Sequence, residues 1–311
     1  MPDTRLVADI GGTFIRLAIV ENGVLGVPRV RRTAEYGGLE DAARDFLSRL
    51  PAGARPNRAV VAVAAPITGD AIRLTNTAWS FSRAAAKAAL GLNELLVVND
   101  FGATAMAIPH LGPADVVPVG PVLAAGDGPV AILGPGTGLG MASMARAAQG
   151  WLLLAGEGGH ATMPASTREE SSVIDRLRER FGHVSAERVL SGPGLENLHQ
   201  ALGGGNAARL AATEITARAI AGSDPLCVRA LGMFFGMLGT VAGNLALTVG
   251  ATGGVYIAGG IVPRLRGAFL DSDFRARFEA KGRFSSYLAA IPTWLVVHEE
   301  PALLGLAHWT L

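Results

Sequence analysis

Two apolar hairpins with glycine at their tips constrain this chain more than any other feature. The first reads LVADIGGTFIRLAIV over residues 6–20: an apolar run, then Gly11-Gly12-Thr13, then a second apolar run. The second follows the same plan. Residues 130–133 lead into Gly134-Pro135-Gly136-Thr137-Gly138-Leu139-Gly140, and residues 141–146 lead out. Apolar runs on both sides of a glycine tip predict strand–turn–strand units. A chain of 311 residues exceeds the usual size of one core, so two α/β halves are expected, each with its own hairpin.

The pattern between the hairpins extends this plan. Residues 5–10 and 15–20 read as strands, Glu21-Asn22-Gly23 as a turn and residues 24–31 as a third strand. Leu39, Ala42, Ala43, Phe46, Leu47 and Leu50 line one face of a helix. A strand over 58–64, a turn at Thr68-Gly69-Asp70 and a helix from an N-cap at Ser82 to Leu90 come next. A short buried strand over 95–98 ends at Asn99-Asp100. The second half gives strands at 116–119, 130–133, 141–146, 151–154, 255–257 and 294–297, with helices from Arg168 onward. Leading strands followed by alternating helices and strands predict mixed sheets with helices packed on them. Proline and glycine cluster at 109–113, which sets the expected boundary.

Composition narrows the function classes. Half the residues are hydrophobic and 17% are charged, enough apolar surface for a large core. Lys and Arg number 27 against 26 acidic residues, a net charge of +1, so no bulk attraction to nucleic acid or to a membrane surface is expected. Residues 230–262 carry no charge and are long enough to span a bilayer, but Gly250 to Gly254 break the run. It reads as a buried helix and a following strand. Asp3 and Asp9 interrupt any leader-like apolar segment. The lone cysteine, Cys227, excludes an intrachain disulfide and a multi-cysteine zinc cage, and reads as core. His110, His183, His199, His298 and His308 show no metal-ligand spacing. A reducing, cytoplasmic setting is expected.

Three loops can admit an anion or a nucleotide. Gly11 and Gly12 let the backbone approach phosphate, Thr13 can donate a hydroxyl, and Asp9 can face magnesium through water. The tip around Gly136, Thr137 and Gly138 is neither a P-loop nor a dinucleotide fingerprint, since a strand and not a helix follows it. Gly259 and Gly260 end a strand, where a base or ribose can approach. A plain surface turn, or tight strand-to-helix packing, accounts for each loop taken singly. Asp100, just past an apolar strand, is placed either as a cap for the next helix or as a proton acceptor in a cleft.

Taken together, the three loops resemble the two phosphate loops and the adenosine loop of the actin-like ATPase and sugar kinase superfamily. More closely, the chain resembles the bacterial glucokinases. APITGD at 65–70, LTN at 74–76, VNDFGA at 98–103, GEGGH at 156–160, SAERVLSGPGL at 185–195 and AGGIVPRL at 258–265 carry the likeness along the whole chain. The zinc-binding cysteine cluster of the related repressor and open-reading-frame kinases is missing.

The resemblance implies a two-domain actin-like (ribonuclease H-like) α/β fold with mixed sheets and an interdomain cleft that closes on sugar. The small domain would hold 1–110 with 301–311, and the large domain 111–300. It implies phosphorylation of glucose by ATP with Mg2+, Asp100 as general base, and sugar contacts from Asn99, Asp100, Glu157, His160 and Glu187. Asp9, Gly11, Gly12, Thr13, Gly136, Thr137, Gly138, Gly259 and Gly260 would hold the nucleotide, with Asp9 facing the metal through water. A homodimer is implied as well. A kinase for another hexose, or a non-catalytic sugar sensor of the same fold, would carry similar motifs. Phe14 departs from the family, which places Asn directly after Gly-Gly-Thr; the expectation is that Phe14 packs under or beside the loop while the backbone and Thr13 hold phosphate.

Overall fold

The structure is a computed structural model describing residues 4–51, 55–65, 67–74, 79–148, 150–204 and 207–310. Pro66 of the APITGD motif and Thr75 and Asn76 of LTN lie outside the described residues. Contacts divide the chain into two units, one running to Leu111 and resuming at His298, the other Gly112–Val297.

In the first unit, β1 (Thr4–Ile10) and β2 (Phe14–Glu21) form the first hairpin, with Asp9 opposite Arg16 and Ile10 opposite Ile15. Asn22 and Gly23, both at positive φ, turn the chain into β3 (Val24–Leu25). Next, β4 (Arg29–Arg32) also pairs with β2. The single strand expected over 24–31 is therefore two, separated at Pro28, which has no N–H to continue a ladder.

Helix α1 (Leu39–Ser48) buries Leu39, Ala42, Ala43 and Leu47. It leads to β5 (Arg58–Val63), parallel to β1. A small hairpin of β6 (Ala71–Arg73) and β7 (Ser80–Ser82) precedes α2 (Arg83–Ala89), which Ser82 caps through the Ala85 N–H at 3.1 Å. Then β8 (Glu94–Asn99), parallel to β5, runs directly into α3 (Asp100–Met106). The sheet order is β3-β2-β1-β5-β8. Both faces are covered: Leu6, Ala8 and Ile10 of β1 pack with Leu39 and Ala43, while Val7 packs with Ala103 and Leu303.

The second unit repeats the plan. It holds β9 (Val116–Pro118), the hairpin of β10 (Val130–Pro135) and β11 (Leu139–Ala147), and β12 (Gly150–Gly156). Helices α4 (Arg168–Phe181), α5 (Gly192–Leu202), α6 (Ala212–Ile220) and α7 (Pro225–Val249) follow. Next come β13 (Gly254–Ile257), α8 (Arg266–Leu270), α9 (Phe274–Glu279), α10 (Ser285–Ala289) and β14 (Thr293–Val296). The order β12-β11-β10-β13-β14 matches the first sheet, antiparallel on one side and parallel on the other, with β9 added at the β14 edge. The closing helix, α11 (Pro301–Ala307), belongs to the first unit and lies on α3, so close that a side chain at Gly305 would strike the Ala103 carbonyl.

Helix α7 is the long uncharged stretch. Within its most apolar window 72% is buried inside the fold, and it ends at Gly250 in the left-handed region, φ 64°. Phe234, Met237 and Leu238 on it, with Cys227 near its start, are fully buried. Burial in the core accounts for its hydropathy.

Candidate active site

Register brings the first group of site residues together. Ile10 pairs with Val63, and Val63 with Asn99, so β1, β5 and β8 end level with one another. The tip at Gly11 and the Asn99-Asp100 pair therefore share the carboxyl edge of the sheet, about 10 Å apart across two strand spacings of ~4.8 Å each. In open α/β sheets this edge is where ligands bind. Asn99, not Asp100, caps α3: its Oδ1 accepts from the N–H groups of Phe101 (2.9 Å) and Gly102 (3.0 Å). Asp100 is thereby the first residue of the helix, half-buried, with Oδ1 accepting from the Phe101 N–H at 2.8 Å.

The first tip is a tight turn closed by Gly11 N–H donating to the Phe14 carbonyl at 2.9 Å. Buried Thr33 braces it twice. The Thr33 hydroxyl donates to the Gly11 carbonyl at 3.0 Å, and its N–H donates to the Thr13 carbonyl, also at 3.0 Å. Phe14 was expected to pack under or beside the loop. It is 39% exposed, and what it contributes to the turn is its backbone carbonyl. Asp9 faces Arg16 across the hairpin at 3.4 Å, and Arg16 reaches Glu300 at 2.6 Å. Burial pushes the Asp9 carboxyl up to about 6, opposed by Arg16 and reinforced by Glu300.

In the second unit the tip is a crowded backbone cradle. Gly136 N–H donates to the Gly138 carbonyl at 2.8 Å, and the Gly192 N–H at the start of α5 donates to the Gly136 carbonyl at 2.9 Å. The Ala258-Gly259-Gly260 loop lies along the same hairpin. Ala258 N–H donates to Leu133 (2.9 Å) and Ile261 N–H to Pro135 (3.2 Å). A Cβ on Gly134 would sit 2.7 Å from the Ala258 carbonyl carbon, and one on Gly259, at φ 84°, would strike the Pro135 carbonyl. Gly259 is thus required by packing, whereas Gly260 opens on free space.

Glu157 and His160 flank this cradle on an exposed loop, their side chains 3.9 Å apart, with Gly159 buried against Leu139. Residues 161–163 pair with 184–186, which carries the Glu187 turn to the same place. One Glu187 oxygen, Oε2, accepts from the Leu139 N–H at 2.9 Å and lies against Gly138. The structure therefore joins Glu157, His160, Glu187, Gly136, Thr137, Gly138, Gly259 and Gly260 in one unit, and Asp9, Gly11, Gly12, Thr13, Asn99 and Asp100 in the other.

Sequence reasoning missed Arg16, Thr33, Gly192 and Glu300. Arg16 was findable, because closing the hairpin at Gly11-Gly12-Thr13 places it opposite Asp9. Thr33, Gly192 and Glu300 carry no local signal, since only the fold brings them to the tips.

Comparison with known proteins bears on identity. A family model described as glucokinase matches residues 6–311. A glucokinase of Nitrobacter hamburgensis is 51% identical over 314 residues, spanning 100% of this chain and 98% of the relative. The crystal structure of a glucokinase from an Antarctic psychrotroph superposes with TM-score 0.87 at 38% identity, covering 98% of each chain. A glucokinase of Balamuthia mandrillaris, solved in complex with glucose, shares the fold at TM-score 0.79 and 20% identity, over 99% of this chain and 93% of that one. With a fold of the actin-like sugar kinase type and matches end to end, this chain belongs to the glucokinase family.

Proposed function

We propose that the protein transfers the γ-phosphoryl group of ATP to the 6-hydroxyl of glucose, giving glucose 6-phosphate at the head of glycolysis. Family membership supports the reaction class. The observation that supports the assignment of roles is the level carboxyl edge of β1, β5 and β8, with a carboxylate, Asp100, on the same edge as a glycine tip and one strand between them.

Asp100 accepts the proton of the 6-hydroxyl as its oxygen attacks phosphorus, a contribution worth ~10²–10⁴ in rate. Asn99 fixes the carboxylate by capping α3 and offers its amide to the sugar. Glu157, His160 and the second oxygen of Glu187 bond the remaining hydroxyls, where an unmatched partner is heavily penalised. Gly11, Gly12, Thr13, Gly136, Thr137 and Gly138 hold phosphates, and Gly259 and Gly260 border the nucleoside.

Magnesium keeps most of its waters and takes one or two carboxylates with the substrate's phosphates. Asp9 fits that need as a hard oxygen donor at the end of β1, with Arg16 holding its orientation. The ion would neutralise phosphate charge. We further propose a cytoplasmic homodimer on family likeness; light scattering of the purified chain checks its mass.

The test is a coupled assay of glucose 6-phosphate formation with magnesium and ATP, run beside mannose and amino sugars. Turnover with glucose at least ~tenfold above the others in kcat/KM is expected. Preference for another hexose would move the substrate assignment. No product with any hexose and donor would make the protein a sugar sensor.

A further inference from the structure

We propose that His199, Asp224 and Cys227 form a binding site for a thiophilic divalent metal ion of the zinc type, tying α5 to the start of α7. Twenty-five or more residues separate His199 from the other two, so no ligand spacing shows in the sequence; the α5–α7 packing makes the cluster. One donor atom from each lies within 4.8 Å of the other two. Around a tetrahedral zinc with bonds of about 2.0–2.3 Å, donors sit roughly 3.3–3.8 Å apart, so rotamer-scale adjustment closes the set.

His199 is the decisive member. It is 2% exposed, and neither ring nitrogen has a hydrogen-bond partner among the described residues. Buried polar atoms left in that state are costly and uncommon, and a cation bound between the three side chains gives one of the two nitrogens its partner. Cys227 is fully buried and Asp224 is oriented by accepting from the N–H groups of Leu226 (2.9 Å) and Cys227 (3.4 Å).

The charge balance is also favourable. A dication with one thiolate and one carboxylate is neutral, and Arg218, 3.7 Å from Asp224 Oδ2, is itself paired with Glu214. As the sulfur–metal bond forms, the Cys227 thiol proton would leave to solvent. Imidazole, thiolate and carboxylate together favour zinc over magnesium or calcium. This site is separate from the nucleotide and sugar residues, and its test does not depend on their roles.

Cysteine count makes the test direct. Titrating the full-length chain with Co2+ should give one bound equivalent and a near-ultraviolet thiolate-to-cobalt band. Because the chain has one cysteine, that band can come only from Cys227. Zn2+ should erase it, Cys227→Ser should lack it, and His199→Gln should weaken binding by roughly tenfold or more. Should either variant fail to fold, the wild-type spectrum still decides. Absence of bound metal, or bound metal without the thiolate band, overturns the proposal and makes the three side chains a structural packing cluster.

Discussion

The two hairpins share topology but are held in different ways. Around the first tip the support is polar: Thr33 bonds two carbonyls, and Asp9, Arg16 and Glu300 form a charged chain beside it. Around the second, no charged residue lies in the hairpin's turn. Backbone from the start of α5 and from the Ala258–Gly260 loop presses directly on it, and the Glu187 carboxylate accepts from the Leu139 N–H. The first hairpin carries a carboxylate of its own, Asp9, while the second is packed by backbone and meets a carboxylate, Glu187, from outside the hairpin. One fold plan, used twice, thus carries two kinds of support at its tips.

Glycine substitutions probe that difference most strongly. Gly134→Ala and Gly259→Ala force a Cβ against backbone, and Gly259 also holds φ 84°. Each should cost about 2–4 kcal/mol in urea unfolding. Gly11→Ala places its Cβ 3.3 Å from the Phe14 carbonyl and should cost about 1 kcal/mol or less. Equal losses at the two tips would break the comparison.

Asp9→Asn tests the charged side of it. The folded pKa of about 6 lies above the ordinary 3.8, so the folded state binds this proton more tightly. Stability from this group is full below the unfolded value and falls as pH rises through the folded one. At pH 7 the ionised carboxylate therefore costs up to about 3 kcal/mol. Asp9→Asn should raise Tm at pH 7, with a gain that shrinks toward pH 4, while phosphoryl transfer is lost. A lower Tm at pH 7 would contradict the burial argument.

Thr33→Val removes one donor beneath the first tip. A rise of roughly two- to tenfold in KM for ATP is expected, with KM for glucose unchanged. Phe14→Asn should do least, changing KM for ATP by no more than about twofold, because the exposed ring contributes only its backbone to the turn. A large gain would mean that the ring obstructs the nucleotide.

Much of this was legible in residue pattern. The hairpins, the Ser82 cap and the break of the long apolar run at Gly250 each rest on local chemistry, and local chemistry is visible in a sequence. A cap at the start of α3 was visible too, but it is Asn99 and not Asp100, which makes Asp100 the first helical residue. What escaped was non-local. Glu300 meets Arg16 only because α11 returns to the first unit, and His199 meets Cys227 only through helix packing. At Gly259 the strand-end glycine was legible, but only the fold shows that its φ and its contact with Pro135 require a glycine there.

The most direct test of the central claim is Asp100→Asn measured by steady-state kinetics with glucose and magnesium-ATP. Asn keeps the shape at the start of α3 and cannot take the proton. A fall in kcat of ~10²–10⁴, with KM for glucose little changed, is the expected result. Turnover retained within about tenfold of wild type would contradict Asp100 as the base.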